Sequence, residues 1–280
     1  MALSRNYKSR SIALPVARFI AVSMIVAFVL VPILWMVITA FKQQIDMFVL
    51  PPRWIFPPTL HNFLYIFQTM PVGRWTLNSS LISLGTMALS LLLGVPAGYA
   101  FSRVKFRGKR VLLTFILLTR ALPPVVIVLP FRVIMQLLGL FGTRTAVILI
   151  DTVYDAAFTA WLMSGMFENI PVDIEDAALI DGCSPTTAFW KVILPLSKPG
   201  LVTAALFTFI LSWNDFLFAL TLTSPATATL PLGMLSTYGI LSQGWTYMMA
   251  LGCIAIIPVV FLSLLLQRYY ISGLTFGGVK

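Results

Sequence analysis

Six apolar runs, each long enough to cross a membrane, alternate with shorter polar segments. They occupy residues 16–41, 77–101, 111–137, 146–166, 201–222 and 246–270. A hydrocarbon core of about 30 Å takes about 20 helical residues to cross. Every spanning backbone polar group must also be satisfied within the protein. The pattern therefore predicts an all-α membrane protein with six transmembrane helices. The first run is too long for the apolar core of a signal peptide, which is about 7–15 residues, and is read as a retained span with a kink at Pro32. The second contains Gly85, Gly94, Pro96 and Gly98, small residues that let a helix pack closely in a bundle. Pro123, Pro124 and Pro130 interrupt the third.

The polar segments differ from one another. Residues 42–75 are proline-rich and carry Trp54, Phe56, Phe63, Tyr65, Phe67 and Trp75, aromatics suited to a membrane interface. Residues 102–110 read Ser-Arg-Val-Lys-Phe-Arg-Gly-Lys-Arg, five cations in nine positions. Residues 223–245 carry no charge. The segment from 168 to 200 is different again. It holds Glu168, Asp173, Glu175, Asp176 and Asp181, five of the nine acids in the chain.

That segment has the punctuation of a helix–turn–helix. Pro171 suits a first helical turn, where its missing N–H costs nothing. Asp173, Glu175 and Asp176 follow where carboxylates complement the helix dipole. Ala177, Ala178 and Leu179 continue the helix. Gly182 is a natural stop, and Ser184 with Pro185 opens a second helix expected to reach about Val192 before Pro195 and Pro199. Ala178 and Gly182, four apart, leave one face open to close approach, and Phe189 and Trp190 are available as anchors. Long connections are uncommon unless they function, so the segment is a candidate docking surface.

Charge assigns the sides. With both termini cytoplasmic, the inner segments hold Arg5, Lys8, Arg10, Arg18, Arg103, Lys105, Arg107, Lys109, Arg110, Lys191, Lys198, Arg268 and Lys280. The outer ones hold Lys42, Arg53, Arg74 and Arg144. This asymmetry follows the positive-inside rule and places 168–200 in the cytoplasm. The net charge of +10 thus reports topology and anionic headgroups rather than nucleic acid. Cys183 and Cys253 form no metal or redox pattern and are read as free thiols. With a single histidine, His61, in a loop, neither a metal site nor histidine-centred catalysis is supported.

The sequence 175–182, Glu-Asp-Ala-Ala-Leu-Ile-Asp-Gly, followed by Phe189 and Ile193-Leu194-Pro195, resembles the EAA loop of binding-protein-dependent ABC importer permeases. The match falls on Asp176-Ala177-Ala178, Gly182 and Ile193-Leu194-Pro195, with Asp176 where the family usually has Glu. Further stretches look like the maltose-type, carbohydrate-uptake branch, in particular its smaller permease subunit. These are 56–62, Asn78-Ser79, Ala97 to Arg103, Trp213 to Leu220, Thr229 to Gly233 and Ser272 to Lys280. The resemblance implies a first section (1–75), a type I importer transmembrane domain (76–268) carrying the EAA loop, and a cytoplasmic tail (269–280). It implies a multi-pass subunit of the cell inner membrane that forms half of a pore. Its partners would be a second homologous permease, two copies of a cytoplasmic ATPase and an extracytoplasmic sugar-binding protein. Glu175, Asp176, Ala177, Ala178, Asp181, Gly182, Phe189 and Pro195 would couple to the ATPase, and the tail would reach towards the ATPase pair. The chain has no phosphate-binding loop of the GxxxxGK[ST] type. It is therefore expected to be a transport subunit rather than an enzyme, with no cofactor of its own and ATP bound by its partner.

Ionisable groups inside the membrane cost roughly 2.5–3.5 kcal/mol each on insertion scales, so those present call for a role. Arg120 lies ten residues beyond Arg110, about 15 Å along a helix and near mid-membrane. Asp151 and Asp155 enter from the other side, four apart on one face. Arg120 is expected to pair with one of them, either lining a pore or fixing helix register. Trp213, Asn214 and Asp215 offer an aromatic face beside hydrogen-bonding groups, which suits a sugar ring or, alternatively, bonding between helices. An ion-coupled secondary transporter would also explain the broken third run and the buried charges. It would leave the acidic helix–turn–helix unexplained.

Overall fold

The computed structural model describes residues 13–47, 49–51, 53–238 and 244–275. Among these the only β contact is an isolated bridge between Gly142 and Thr223, and the rest is helix and connection. Four helices are long and apolar enough to cross a membrane unaided. They are α1 (Ala13–Ala40), α3 (Val72–Arg103), α6 (Arg144–Glu168) and α13 (Gly244–Thr275). Two bent pairs bring the number of candidate spans to six.

Two of the six expected spans are broken, the third where its prolines predicted an interruption and the fifth where nothing did. The third run is split into α4 (Lys109–Leu118), a 3₁₀ turn at Thr119–Ala121, and α5 (Pro124–Leu137), with 91° between its two arms. Leu122 and Pro123 have extended ψ values of 130° and 127°, as a residue followed by proline prefers. Arg120 therefore lies in the turn that ends the first arm, not in the middle of a helix.

The fifth run is also broken. Helix α10 (Lys198–Trp213) stops at Asn214, and α11 (Leu217–Leu222) starts anew. Asp215 causes the restart, because its carboxylate accepts from Phe218 N at 3.3 Å and Ala219 N at 2.9 Å. These are first-turn amides that no intrahelical carbonyl can satisfy.

Two connections hold more structure than their polarity suggested. A helix α2 (His61–Thr69) lies within 42–75, and the next span begins at Val72 rather than 77. Helix α12 (Leu230–Tyr238) lies within 223–245. Asn78 and Ser79 hold the approach to α12. Asn78 Nδ2 donates to Ala226 O and Ala228 O, and Ser79 Oγ accepts from Leu230 N. The amino-terminal cations Arg5, Lys8 and Arg10, and residues 276–280 of the expected tail, lie outside the described residues.

Helices α3 and α6 form the centre of the bundle. A Cβ added to Gly94 would sit 2.6 Å from Thr159 Cβ, and one added to Gly98 would sit 2.8 Å from Ala160 O. Contact positions rise together in the two helices, so they run parallel and touch through glycine. Helix α10 packs antiparallel across both, through Thr86 with Ser212 and Thr159 with Thr208. By contrast α1 lies outside the bundle, with Phe19 73% and Phe28 83% exposed. A helix so apolar and so little covered by its own chain faces lipid or a partner.

Candidate functional site

The acidic segment folds as a bent hairpin of short helices. Helix α7 (Val172–Ile180) follows Pro171, which occupies the cap position. It ends in a complete Schellman arrangement: Gly182 N donates to Leu179 O at 3.0 Å, and Cys183 N to Ala178 O at 3.0 Å. Gly182 has φ +89°, a conformation costly to any residue with a Cβ. An added Cβ there would meet nothing within 4 Å. The backbone turn, rather than crowding within this chain, requires that glycine.

The second helix opens as expected, with Thr187 N donating to Ser184 Oγ at 3.3 Å. It does not stop near Val192. Helix α8 (Pro185–Ala188) passes through a π-helical turn, Phe189–Ile193, into α9 (Leu194–Leu196). Leu194 N donates to Phe189 O, five residues back. The wider turn relieves the clash between a proline ring and the preceding turn, so Pro195 continues the helical path instead of ending it.

The two faces of α7 have different partners. Glu175 and Ala178 point inward, so Ala178 is buried in this chain and does not share an open face with Gly182 as expected. Arg103 Nε donates to Glu175 Oε2 at 2.8 Å, Arg103 Nη2 donates to Ile170 O at 2.9 Å, and Tyr99 Oη donates to the other oxygen of Glu175. Tyr99 and Arg103, one turn apart at the end of α3, thus clamp the start of the hairpin. Phe189 is also inward, 7% exposed, with its ring 4.6 Å from that of Tyr99. This corrects its expected role as an anchor for a partner: it packs with Phe167 and Met163 in the chain's own core. The outward face carries Asp173, Asp176, Ala177 and Ile180, all exposed, beside exposed Asp181 and Gly182. Ile180 is 85% exposed.

Tyr99 and Arg103 both lie in the stretch Ala97 to Arg103 that carries part of the resemblance, but sequence reasoning counted Arg103 only as a topology charge and gave Tyr99 no role of its own. Their spacing of four at a helix end was the available signal.

A polar cluster lies where α3, α6 and α10 meet. Asp151 and Asp155 are both 4% exposed. Ser212 Oγ donates to Asp151 Oδ2 at 2.7 Å and lies 3.3 Å from Thr86 Oγ1. Arg120 Nη2 is 3.8 Å from Asp155 Oδ1, with its guanidinium 4.9 Å from the Phe158 ring centroid. The paired partner is thus Asp155, while Asp151 is held by the serine. Trp213 does not join this group. It is 2% exposed, stacked on Phe209 with centroids 5.6 Å apart, and its Nε1 donates to Ala255 O at 3.1 Å. An indole enclosed in this way has no free face for a sugar ring, and its bond from α10 to α13 is the other of the two expected readings, bonding between helices. Asn214 is exposed and donates to Ile210 O at 2.7 Å. Among the described residues no group of three His, Cys, Asp or Glu side chains could hold a metal ion.

Residues 90–275 match the family "Binding-protein-dependent transport system inner membrane component". The chain belongs to this family. Its members are transport components rather than enzymes, and they reside in the inner membrane. The family is not one of ion-coupled carriers, and that alternative is set aside. The sulfoquinovosyl glycerol transport system permease protein SmoH of Agrobacterium fabrum is 36% identical over 266 residues, covering 94% of this chain and 93% of that protein. The trehalose transport system permease protein SugB of Mycobacterium tuberculosis is 36% identical over 263 residues, covering 92% and 95%. Among solved structures, a chain of a bacterial ABC transporter importing the acidic polysaccharide alginate superposes with a TM-score of 0.75. It is 23% identical and covers 92% of this chain and 96% of that one. A chain of the MetNI methionine ABC transporter gives a TM-score of 0.60 at 18% identity, covering 77% and 99%. These two likenesses show the fold.

Proposed function

We propose that this chain is one of two permease subunits of an ATP-driven importer for a sugar or sugar derivative. A second homologous permease completes the pore, two copies of a cytoplasmic ATPase drive it, and an extracytoplasmic binding protein delivers the cargo. The carbohydrate assignment is supported by the cargoes named for the relatives, sulfoquinovosyl glycerol and trehalose. Both termini and the hairpin 168–200 face the cytoplasm, in keeping with the distribution of lysine and arginine.

The two-faced α7 carries the coupling assignment. Asp176, Ala177, Asp181 and Gly182 lie on a face that the described residues leave exposed, beside an isoleucine left in solvent. The opposite face is fastened through Glu175 to α3. An ATPase seated on the outer face would move the hairpin as a unit, and the Tyr99–Arg103–Glu175 clamp would carry that movement into the span. Phe189 and Pro195 serve the same transmission from inside, through the aromatic packing and the π turn. Arg120, Asp151, Asp155 and Asp215 line the polar part of the pathway, with Asn214 at its exposed edge.

Reconstituting the chain with its partner permease, ATPase and binding protein tests the proposal. Uptake should require both ATP and the binding protein and should persist when ion gradients are collapsed. Uptake driven by an ion gradient without ATP would overturn it.

A further inference from the structure

The basic connection between α3 and α4 shapes an open hollow at the surface. Residues 104–111 line about 640 Å³ of this open hollow. Gly108, with φ +84°, turns the chain so that α4 starts at once, and Leu112 N donates to Gly108 O at 2.8 Å. Two of the neighbouring cations are already occupied. Arg103 is bound to Glu175, and Lys109 donates to Ser102 O at 3.3 Å and lies 3.9 Å from Glu168. Lys105, Arg107 and Arg110 form no ion pair among the described residues. Three cations therefore line one hollow without a counter-charge.

The apolar surroundings indicate what supplies it. The hollow opens directly onto the outer face of α4, where Val111 is 73%, Phe115 65% and Leu118 57% exposed. Phe106, at the rim, is 40% exposed. A free anion would use the cations and leave that apolar strip unexplained. An anionic phospholipid uses both, with its phosphate among Lys105, Arg107 and Arg110 and an acyl chain along Val111, Phe115 and Leu118. We infer that residues 104–111 form a binding site for the headgroup of an anionic phospholipid, with α4 as the bed for its acyl chain. Juxtamembrane cations are attracted to anionic surfaces, and their aliphatic stems suit the interface.

The test uses the assembled transporter complex in bilayer discs made either of phosphatidylcholine alone or of equal parts phosphatidylcholine and phosphatidylglycerol. A photocrosslinking phenylalanine analogue replaces Val111, and the adduct is identified by mass. The expected adduct is phosphatidylglycerol, taken in preference to phosphatidylcholine. In Lys105→Gln/Arg107→Gln/Arg110→Gln the preference falls on the order of a hundredfold. The charge-conserving set Lys105→Arg/Arg107→Lys/Arg110→Lys retains it, which separates lost recognition from lost folding. Equal labelling of the two lipids would overturn the proposal, as would labelling of the ATPase subunit in place of lipid. Displacement of the lipid by inorganic phosphate alone would assign the hollow to a soluble anion instead.

Discussion

Arg103 Nε lies 2.8 Å from Glu175 Oε2, and both side chains are largely buried, 12% and 13% exposed. This contact joins the last turn of a spanning helix to the first turn of the hairpin. Removing either partner strands a charge away from water, which costs more than the pair itself contributes. We expect Arg103→Ala and Glu175→Ala each to slow uptake and lower the melting temperature of the assembled complex. A double-mutant cycle on unfolding free energy should return a coupling of about 1–3 kcal/mol. Additive single effects would show that the two residues do not act together.

Gly182 and Ala177 separate two kinds of damage. Gly182 sits at φ +89° with open space beyond its Cα. Gly182→Ala should therefore cost about 1–2 kcal/mol of backbone strain and leave ATPase binding nearly intact. A bulky Gly182→Trp would mix strain with steric exclusion and could not report docking cleanly. Ala177 is exposed in the middle of a regular helix. Ala177→Trp should leave the melting temperature within a degree or two of wild type and abolish co-purification of the ATPase. Retained co-purification would remove the outer face of α7 from the proposed interface.

Much of this hairpin was legible in the residues. Pro171, Gly182, Ser184 and Pro185 act locally, through φ restriction and side-chain oxygens, and local rules place them where they stand. The inward orientation of Phe189 was not legible, because it depends on Tyr99 and Phe167 from distant segments. The break at Asn214-Asp215-Phe216 was hidden by hydrophobicity. An apolar run shows that a segment belongs in the membrane, while a carboxylate that takes two first-turn amides decides that it starts a new helix. Pro123 and Pro124 announced a break in the third run but not its 91° angle, because the two arms pack on segments distant in sequence, α4 on α6 and α5 on α11. The choice between the two readings of Trp213 was not legible for a related reason. An indole beside polar residues has the composition of a sugar site, but its neighbours in space are Phe209 and Ala255.

The α3–α6 contact can be probed through Gly94. Its Cα faces Thr159 so closely that a methyl group would approach to 2.6 Å. Gly94→Ala should destabilise the complex by about 1–3 kcal/mol through overpacking, even though alanine is the better helix former. Gly73, in the first turn of the same helix, has nothing within 4 Å of an added Cβ. Gly73→Ala should be neutral or slightly stabilising. Equal melting temperatures for the two variants would contradict the close helix approach.

Arg120 and Asp155 raise the question of what an ion pair inside a membrane protein contributes. At 3.8 Å the contact is an ion pair rather than a close hydrogen bond, and Asp155 is almost fully enclosed. The two charges were costly to bring into the bilayer, and each offsets the cost of the other. Arg120→Ala alone leaves a buried carboxylate beside Asp151. Asp155→Ala alone leaves a guanidinium resting on Phe158. Either loss should destabilise the complex, by up to about 3–5 kcal/mol when the remaining charge is fully buried. The double variant Arg120→Ala/Asp155→Ala should therefore be more stable than at least the worse of the two singles. Uptake then separates structure from transport. If the pair only fixes helix register, the double variant regains uptake along with stability. If the charges line the sugar pathway, stability returns and uptake does not. We expect the second outcome, because Asp151, Ser212 and Thr86 continue the polar line from Asp155 into the bundle. Parallel measurement of melting temperature and ATP-dependent uptake in all three variants decides between them.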